Sequence, residues 1–125
     1  MTDALTLSPL GHTWLIDLDG CVLAHNGHLR EAERLLPGVQ QFWAQIPLGD
    51  RIVLLTSRGE EHAPETRRTL ERFGLRHDLI LFGLPFGERI LVNDRKPSGL
   101  ITAYAVNLAR DVGPQDLRIT IDPAR

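Results

Sequence analysis

The chain of 125 residues contains a single cysteine, Cys21. No internal disulfide can form, which excludes a disulfide-built secreted scaffold and fits a reducing compartment. No apolar run approaches the ~20 residues of a membrane-crossing helix. The first residues, MTDALTLSPLGH, lack a basic start and a long apolar stretch, so they do not read as a secretion signal. Charge of one sign is not in excess: the net charge is -2 and the sequence pI ≈ 6.2. Such a balance points neither to nucleic acid nor to a membrane surface. Repeats and low-complexity tracts are also missing. These absences leave a cytoplasmic globular protein, expected as one domain over residues 1–125. A domain of that size buries enough surface to fold without staples.

Short apolar runs alternate with amphipathic ones. Residues 13–18 (TWLIDL), 51–56 (RIVLLT), 78–82 (DLILF) and 89–93 (RILVN) read as buried strands. Residues 37–46 read as a helix: Pro37 suits a first turn, and Val39, Phe42, Trp43 and Ile46 recur at spacings of three and four. Residues 47–50 form a turn. Residues 60–73 read as a charged helix with Gly74 as its stop signal. Residues 97–102 are expected to make a turn of helix, 104–108 a short strand and 117–121 an edge strand. The alternation predicts an α/β fold, Rossmann-like and three-layered, with a mainly parallel sheet covered on both faces. Trp14 and Trp43 are assigned to the core, and His12, His62 and His77 to the surface. Arg67, Arg68 and Arg72 belong to a solvated face balanced by Glu60, Glu61, Glu65 and Glu71.

Ligands of parallel sheets sit at the carboxyl ends of the strands. Asp17 and Asp19 leave the first strand there. Thr56, Ser57 and Arg58 leave the second. Asn93, Asp94, Arg95 and Lys96 leave the fourth. Clustered carboxylates repel unless a cation neutralises them, and Mg2+ suits one or two carboxylates plus a substrate phosphate. A Thr hydroxyl and a Lys or Arg suit phosphate oxygens. The N–H groups of the Leu18-Asp19-Gly20 turn add to such a cradle. One carboxylate can attack phosphorus and form an aspartyl-phosphate; a second can handle the proton.

The runs Leu15-Ile16-Asp17-Leu18-Asp19-Gly20, Val53-Leu54-Leu55-Thr56 and Ile90-Leu91-Val92-Asn93-Asp94 occur in this order. In them the chain resembles the haloacid-dehalogenase-like (HAD) phosphohydrolases, over about residues 13–99. The resemblance implies a Mg2+-dependent phosphomonoester hydrolase acting on a small phosphorylated substrate such as a sugar phosphate. It makes Asp17 the nucleophile and a metal ligand. Asp19 becomes the general acid/base, with its main-chain carbonyl on the metal. Thr56 becomes a phosphate ligand, beside Gly20, Ser57 and Arg58 in substrate binding. Asp94, with Asn93, completes the metal site. Only 36 residues separate Asp19 from Thr56, and 37 separate Thr56 from Asp94. Both segments are used by a helix and its connections, so no cap domain is expected. Residues 22–30 (VLAHNGHLR) would form a short flap. Small capless relatives often oligomerise, which implies a homo-oligomer able to close an open site.

The chain also departs from that pattern. The family's motif-three Lys falls on Leu84, which has no charge. Lys96 is the first candidate to replace it, Arg58 the second, and Arg67 or Arg68 weaker ones. Cys21 stands where the family usually has Thr; little chemical consequence is expected, although a thiol beside a metal can be oxidised. His25 and His28 are three apart, but no other Cys/His cluster accompanies them, so a zinc site is not expected. Two other functions stay open. One is a non-catalytic domain that binds a metal or phospholigand. The other is a receiver domain, although receivers carry the phosphorylated Asp on a later strand.

Overall fold

Three short, continuously apolar runs lie side by side as a pleat, each sending alternate side chains to opposite faces. The computed structural model describes residues 3–27 and 32–125. β1 (Asp3–Leu7) precedes β2 (Thr13–Asp17), α1 (Val39–Gln45), β3 (Arg51–Leu55), α2 (Ala63–Arg72), β4 (Leu79–Leu81) and β5 (Leu117–Ile121). β2, β3 and β4 form a parallel sheet in that order, with Trp14 opposite Ile52, Ile16 opposite Leu54 and Leu54 opposite Ile80. β1 and β5 pair in parallel as a second, two-stranded sheet. The expected strands at 13–18, 51–56 and 78–82 and the expected helices at 37–46 and 60–73 are therefore present in slightly shorter form. The expected strand at 117–121 is present too, paired with a strand that the sequence reading missed.

Trp14, Ile16, Ile52, Leu54 and Ile80 share one face of the larger sheet and belong to one apolar cluster with Val39, Phe42 and Trp43 of α1 and Leu70 of α2. Trp14 and Phe42 meet edge to face at 5.8 Å. Both helices thus pack against the same face of the sheet, the arrangement that sequential parallel strands with crossovers of one hand produce. Truncating Leu54, which is fully buried, to Ala should cost about 2–5 kcal/mol. The opposite face is open at its outer strands, where Leu15, Leu79 and Leu81 are 51%, 51% and 40% exposed, while Leu55 of the central strand is buried.

The Gly74 stop signal is realised in detail. Gly74 takes φ 70, its N–H donates to Glu71 O at 3.0 Å, and Leu75 N–H donates to Leu70 O at 3.0 Å. Those two bonds are a Schellman ending, which satisfies carbonyls the helix leaves unpaired.

The three-layer expectation needs correcting. Residues 88–109 contain no helix or strand, so the fourth strand at 89–93, the helical turn at 97–102 and the strand at 104–108 are not formed. A turn at Lys96–Gly99, closed by Gly99 N–H on Lys96 O at 2.9 Å, is what remains of the helix. Ile90 and Val92 are 85% and 90% exposed. A strand needs a ladder partner and a surface to pack on; local pattern alone supplies neither. No described helix is long and apolar enough to cross a membrane.

Candidate functional site

β2 and β3 run in parallel and end together, with Asp17 opposite Leu55. Their continuations meet one residue later. Leu18 N–H donates to Leu55 O at 2.8 Å, and Thr56 N–H donates to Leu81 O at 3.0 Å. The turn after β2 is tight: Gly20 adopts φ 87, and its carbonyl accepts from Asp111 N–H at 2.9 Å. A side chain there would face strain, because only Gly enters that conformation freely.

This arrangement brings Asp17, Asp19, Thr56 and Arg58 to one rim. Thr56 is fully buried and its Oγ1 donates to Asp19 Oδ2 at 2.8 Å. Arg58 Nε donates to Asp19 Oδ1 at 3.0 Å. Both Asp19 oxygens thus accept bonds. The Arg58 side chain is 1% exposed. Its remaining donors go to Thr66 Oγ1 at 3.0 Å and to Glu33. Burial works against its charge, yet the bonds from Glu33 and Asp19 outweigh it and hold the guanidinium more firmly protonated than usual.

Asp17 is different: its carboxylate is 46% exposed, and Arg89 lies 3.9 Å away. Burial raises its pKa above the usual carboxylate value, the Arg89 charge opposes that rise, and Asp19 adds to it. Arg89 is itself steadied by Pro85 O at 3.1 Å and Gly87 O at 2.9 Å. Sequence reading missed Arg89, having counted it inside a strand. The signal was its place five residues after Leu84, where a cation was wanted. Near Asp17, the half-buried Cys21 thiol is held in its protonated form: burial, then the Asp17 charge, pushes its pKa up to about 11.

Other expected members are placed elsewhere. Asn93 Nδ2 donates to Thr102 O at 2.9 Å and Oγ1 at 3.0 Å, and Thr102 Oγ1 donates to Asp94 O. Asn93, Asp94 and Lys96 are exposed in the segment that lacks regular structure, and none of them bonds to Asp17 or Asp19. Gly20 N–H donates to Leu23 O at 2.7 Å, so the turn's Gly20 and Leu18 N–H groups are spent inside the fold rather than on a cradle. Arg58 faces protein partners, not solvent. Ser57 Oγ reaches Pro85 O at 3.5 Å and steadies the segment that delivers Arg89. The start of the expected flap is core, with Val22, Leu23 and Ala24 buried. His28 and the end of that flap lie outside the described residues. His25 N–H donates to Asp111 Oδ1 at 2.8 Å. His12, expected at the surface, is bound into a network with Asp50.

Among the described residues, no group of three or more His, Cys, Asp or Glu side chains is placed to hold a metal ion. Asp17 and Asp19 supply two carboxylates, but Asp19 is engaged by Thr56 and Arg58 and Asp94 is not beside them. The donor set as arranged does not fit Mg2+. Comparison of the chain with protein-family models, curated proteins and solved structures finds no match.

Proposed function

We propose that the chain is a HAD-like phosphomonoester hydrolase working through Asp17. What supports the reading is one arrangement: a solvent-facing carboxylate at a strand's end, paired with Arg89, two residues from an acid tied to Thr56 on the next strand. Asp17 attacks phosphorus of R–O–PO3, forming an aspartyl-phosphate as the P–O bond to R breaks. Asp19 gives the leaving oxygen its proton, so ROH departs. Water then attacks phosphorus and passes its proton to Asp19, releasing phosphate and restoring Asp17. For Asp19 to do this, one of its oxygens must be freed from Thr56 or Arg58. Arg89 offsets the substrate's charge, the task for which Leu84 provides nothing.

Dependence on Mg2+ follows from the resemblance alone, since the described side chains as arranged do not hold the ion. The ion needs a further free carboxylate beside Asp17. Asp94 supplies it only in an arrangement where residues 89–108 cover the open face of the sheet as a third layer, and in that arrangement Arg89 would leave its place beside Asp17. The exposed apolar pair of surfaces, Leu15, Leu79 and Leu81 on one side and Ile90 and Val92 on the other, supports that closure. The substrate class is a small phosphorylated metabolite.

A second reading is a non-catalytic phospholigand-binding domain. The engagement of both Asp19 oxygens favours it. Phosphate release from a generic aryl phosphate, with wild type beside Asp17→Asn and with and without Mg2+, separates the two. Sustained release in the wild type alone supports the hydrolase. Equal rates in both proteins would exclude Asp17 as nucleophile.

A further inference from the structure

The cation beside Asp17 belongs to the chain itself. Arg89 is carried by the segment after β4, which is stitched to the end of β3: Gly83 N–H donates to Arg58 O at 2.7 Å and Leu84 N–H to Thr56 O at 3.1 Å. Arg89 Nη1 donates to Pro85 O and to Gly87 O. Those two carbonyls fix one arm of the guanidinium and leave Nη2 turned to Asp17 Oδ1 at 3.9 Å. That gap is too long for a hydrogen bond, so the Nη2 protons stay available to another acceptor. With 37% of the Arg89 side chain exposed, such an acceptor can arrive from solvent. A divalent metal meets the opposite conditions. Asp19 spends both carboxylate oxygens on Thr56 and Arg58, and among the described residues no third carboxylate is placed to hold an ion with Asp17 and Asp19. An ion held about 2 Å from Asp17 Oδ1 would stand no more than about 6 Å from Nη2, where the two positive charges repel.

We propose that Arg89 is the resident cation of this rim in place of a divalent metal, and that it takes the oxyanion of a phosphate monoester directly on its guanidinium. The inference rests on the reading of the rim as a phosphoryl site. One guanidinium then supplies the positive charge that neither Leu84 nor an ion on Asp94 brings. Its planar set of N–H donors matches phosphate oxygens. The other charges nearby are turned inward: Arg58 holds Asp19 and Glu33 together, and Thr66 and Thr69 of α2 complete that group. Each carboxylate oxygen of Asp19 and Glu33 already accepts a bond there. Metal and guanidinium therefore compete for Asp17 alone, and removing the guanidinium should exchange one preference for the other.

The test uses the full chain as wild type, Arg89→Gln and Arg89→Lys, and follows the backbone amides of residues 17–20 by NMR. Inorganic phosphate is added in the presence of a chelator. Mn2+, which shares the oxygen preference of Mg2+, is added alone. In the wild type, phosphate shifts those amides without any metal, and millimolar Mn2+ leaves them sharp. In Arg89→Gln the phosphate affinity falls about tenfold or more, and Mn2+ now broadens the same amides. Arg89→Lys keeps part of the phosphate affinity and still keeps Mn2+ out. Broadening by Mn2+ in the wild type as strong as in Arg89→Gln overturns the inference. So does a phosphate affinity untouched by Arg89→Gln, or one that appears only when Mg2+ is added. Aryl-phosphate hydrolysis separates this inference from the reading it rests on. Release that needs Mg2+ keeps the hydrolase and ends the metal-free rim. No release with or without Mg2+ ends the hydrolase, and the NMR titrations still decide which cation the rim holds.

Discussion

Asp17 and Asp19 are two residues apart and chemically alike, yet their surroundings give them different work. Asp17 faces solvent beside Arg89; Asp19 is tied to Thr56 and Arg58. Asp17→Asn should abolish phosphate release while leaving the melting temperature unchanged or slightly raised. The sign follows from the raised pKa. A carboxylate harder to ionise in the folded chain than in the unfolded one costs stability once pH exceeds its folded pKa, and the neutral amide removes that cost. The same shift sets the acid limb of activity. Attack needs the anion, so kcat/KM should rise with pH through a midpoint above the usual carboxylate value of 3.8, measured by initial rates across acid pH. Arg89→Ala should lower kcat/KM about tenfold or more, with Arg89→Lys recovering part. Lys96→Ala, in an exposed turn, should leave it unchanged. Equal losses from Arg89→Ala and Lys96→Ala would return Lys96 to candidacy.

The elements around the rim are joined by polar contacts whose partners are distant in sequence. Asp50, at the turn before β3, accepts from His12 N–H at 3.1 Å, from the His12 ring at 2.7 Å and from Trp14 Nε1 at 2.9 Å. The other His12 ring nitrogen lies 2.9 Å from Ser8 O. Burial opposes the Asp50 charge, but the bonds from Trp14 and His12 prevail and hold its carboxyl below the usual value. The stability this supplies is present above the unfolded pKa and is lost as pH falls through the lower, folded one. Urea unfolding should therefore show a loss below about pH 4 that Asp50→Asn abolishes. At neutral pH that substitution should cost about 2 kcal/mol. The turn at 47–50 was legible from its Pro and Gly, as was α2 from its caps. The role of His12 was not, because its acceptor lies 38 residues away.

For the molecule as a whole, the close approach of residues 113–115 to residues 37–38 ties the β1–β5 pair to the main body. Gly113 has φ 91, and a Cβ on it would press into Pro37 O. Gly113→Ala should therefore lower stability by more than the ~1 kcal/mol of an unhindered Gly-to-Ala change at positive φ. Chemical denaturation would measure it. The two open apolar surfaces pose a larger question about the same body. In hydrogen exchange, slow amides at 90–92 in wild type would show those residues in a ladder, and fast ones would leave the larger sheet at three strands.

Local patterns carried much of this protein. Short continuous apolar runs predicted β2, β3 and β4, helical spacing predicted α1, and Gly74 marked the end of α2, because each rests on interactions within a few residues. Asp17, Asp19 and Thr56 could be set at one rim from the rule that parallel strands end together. The company those acids keep was decided in three dimensions. That Arg58 turns inward to Glu33, that Arg89 rather than Lys96 stands beside Asp17, and that residues 89–93 gain no ladder partner all depend on contacts between distant segments. Short-range spacing carries no information about which distant surface a side chain will meet, and burial of charge is settled only when those surfaces close.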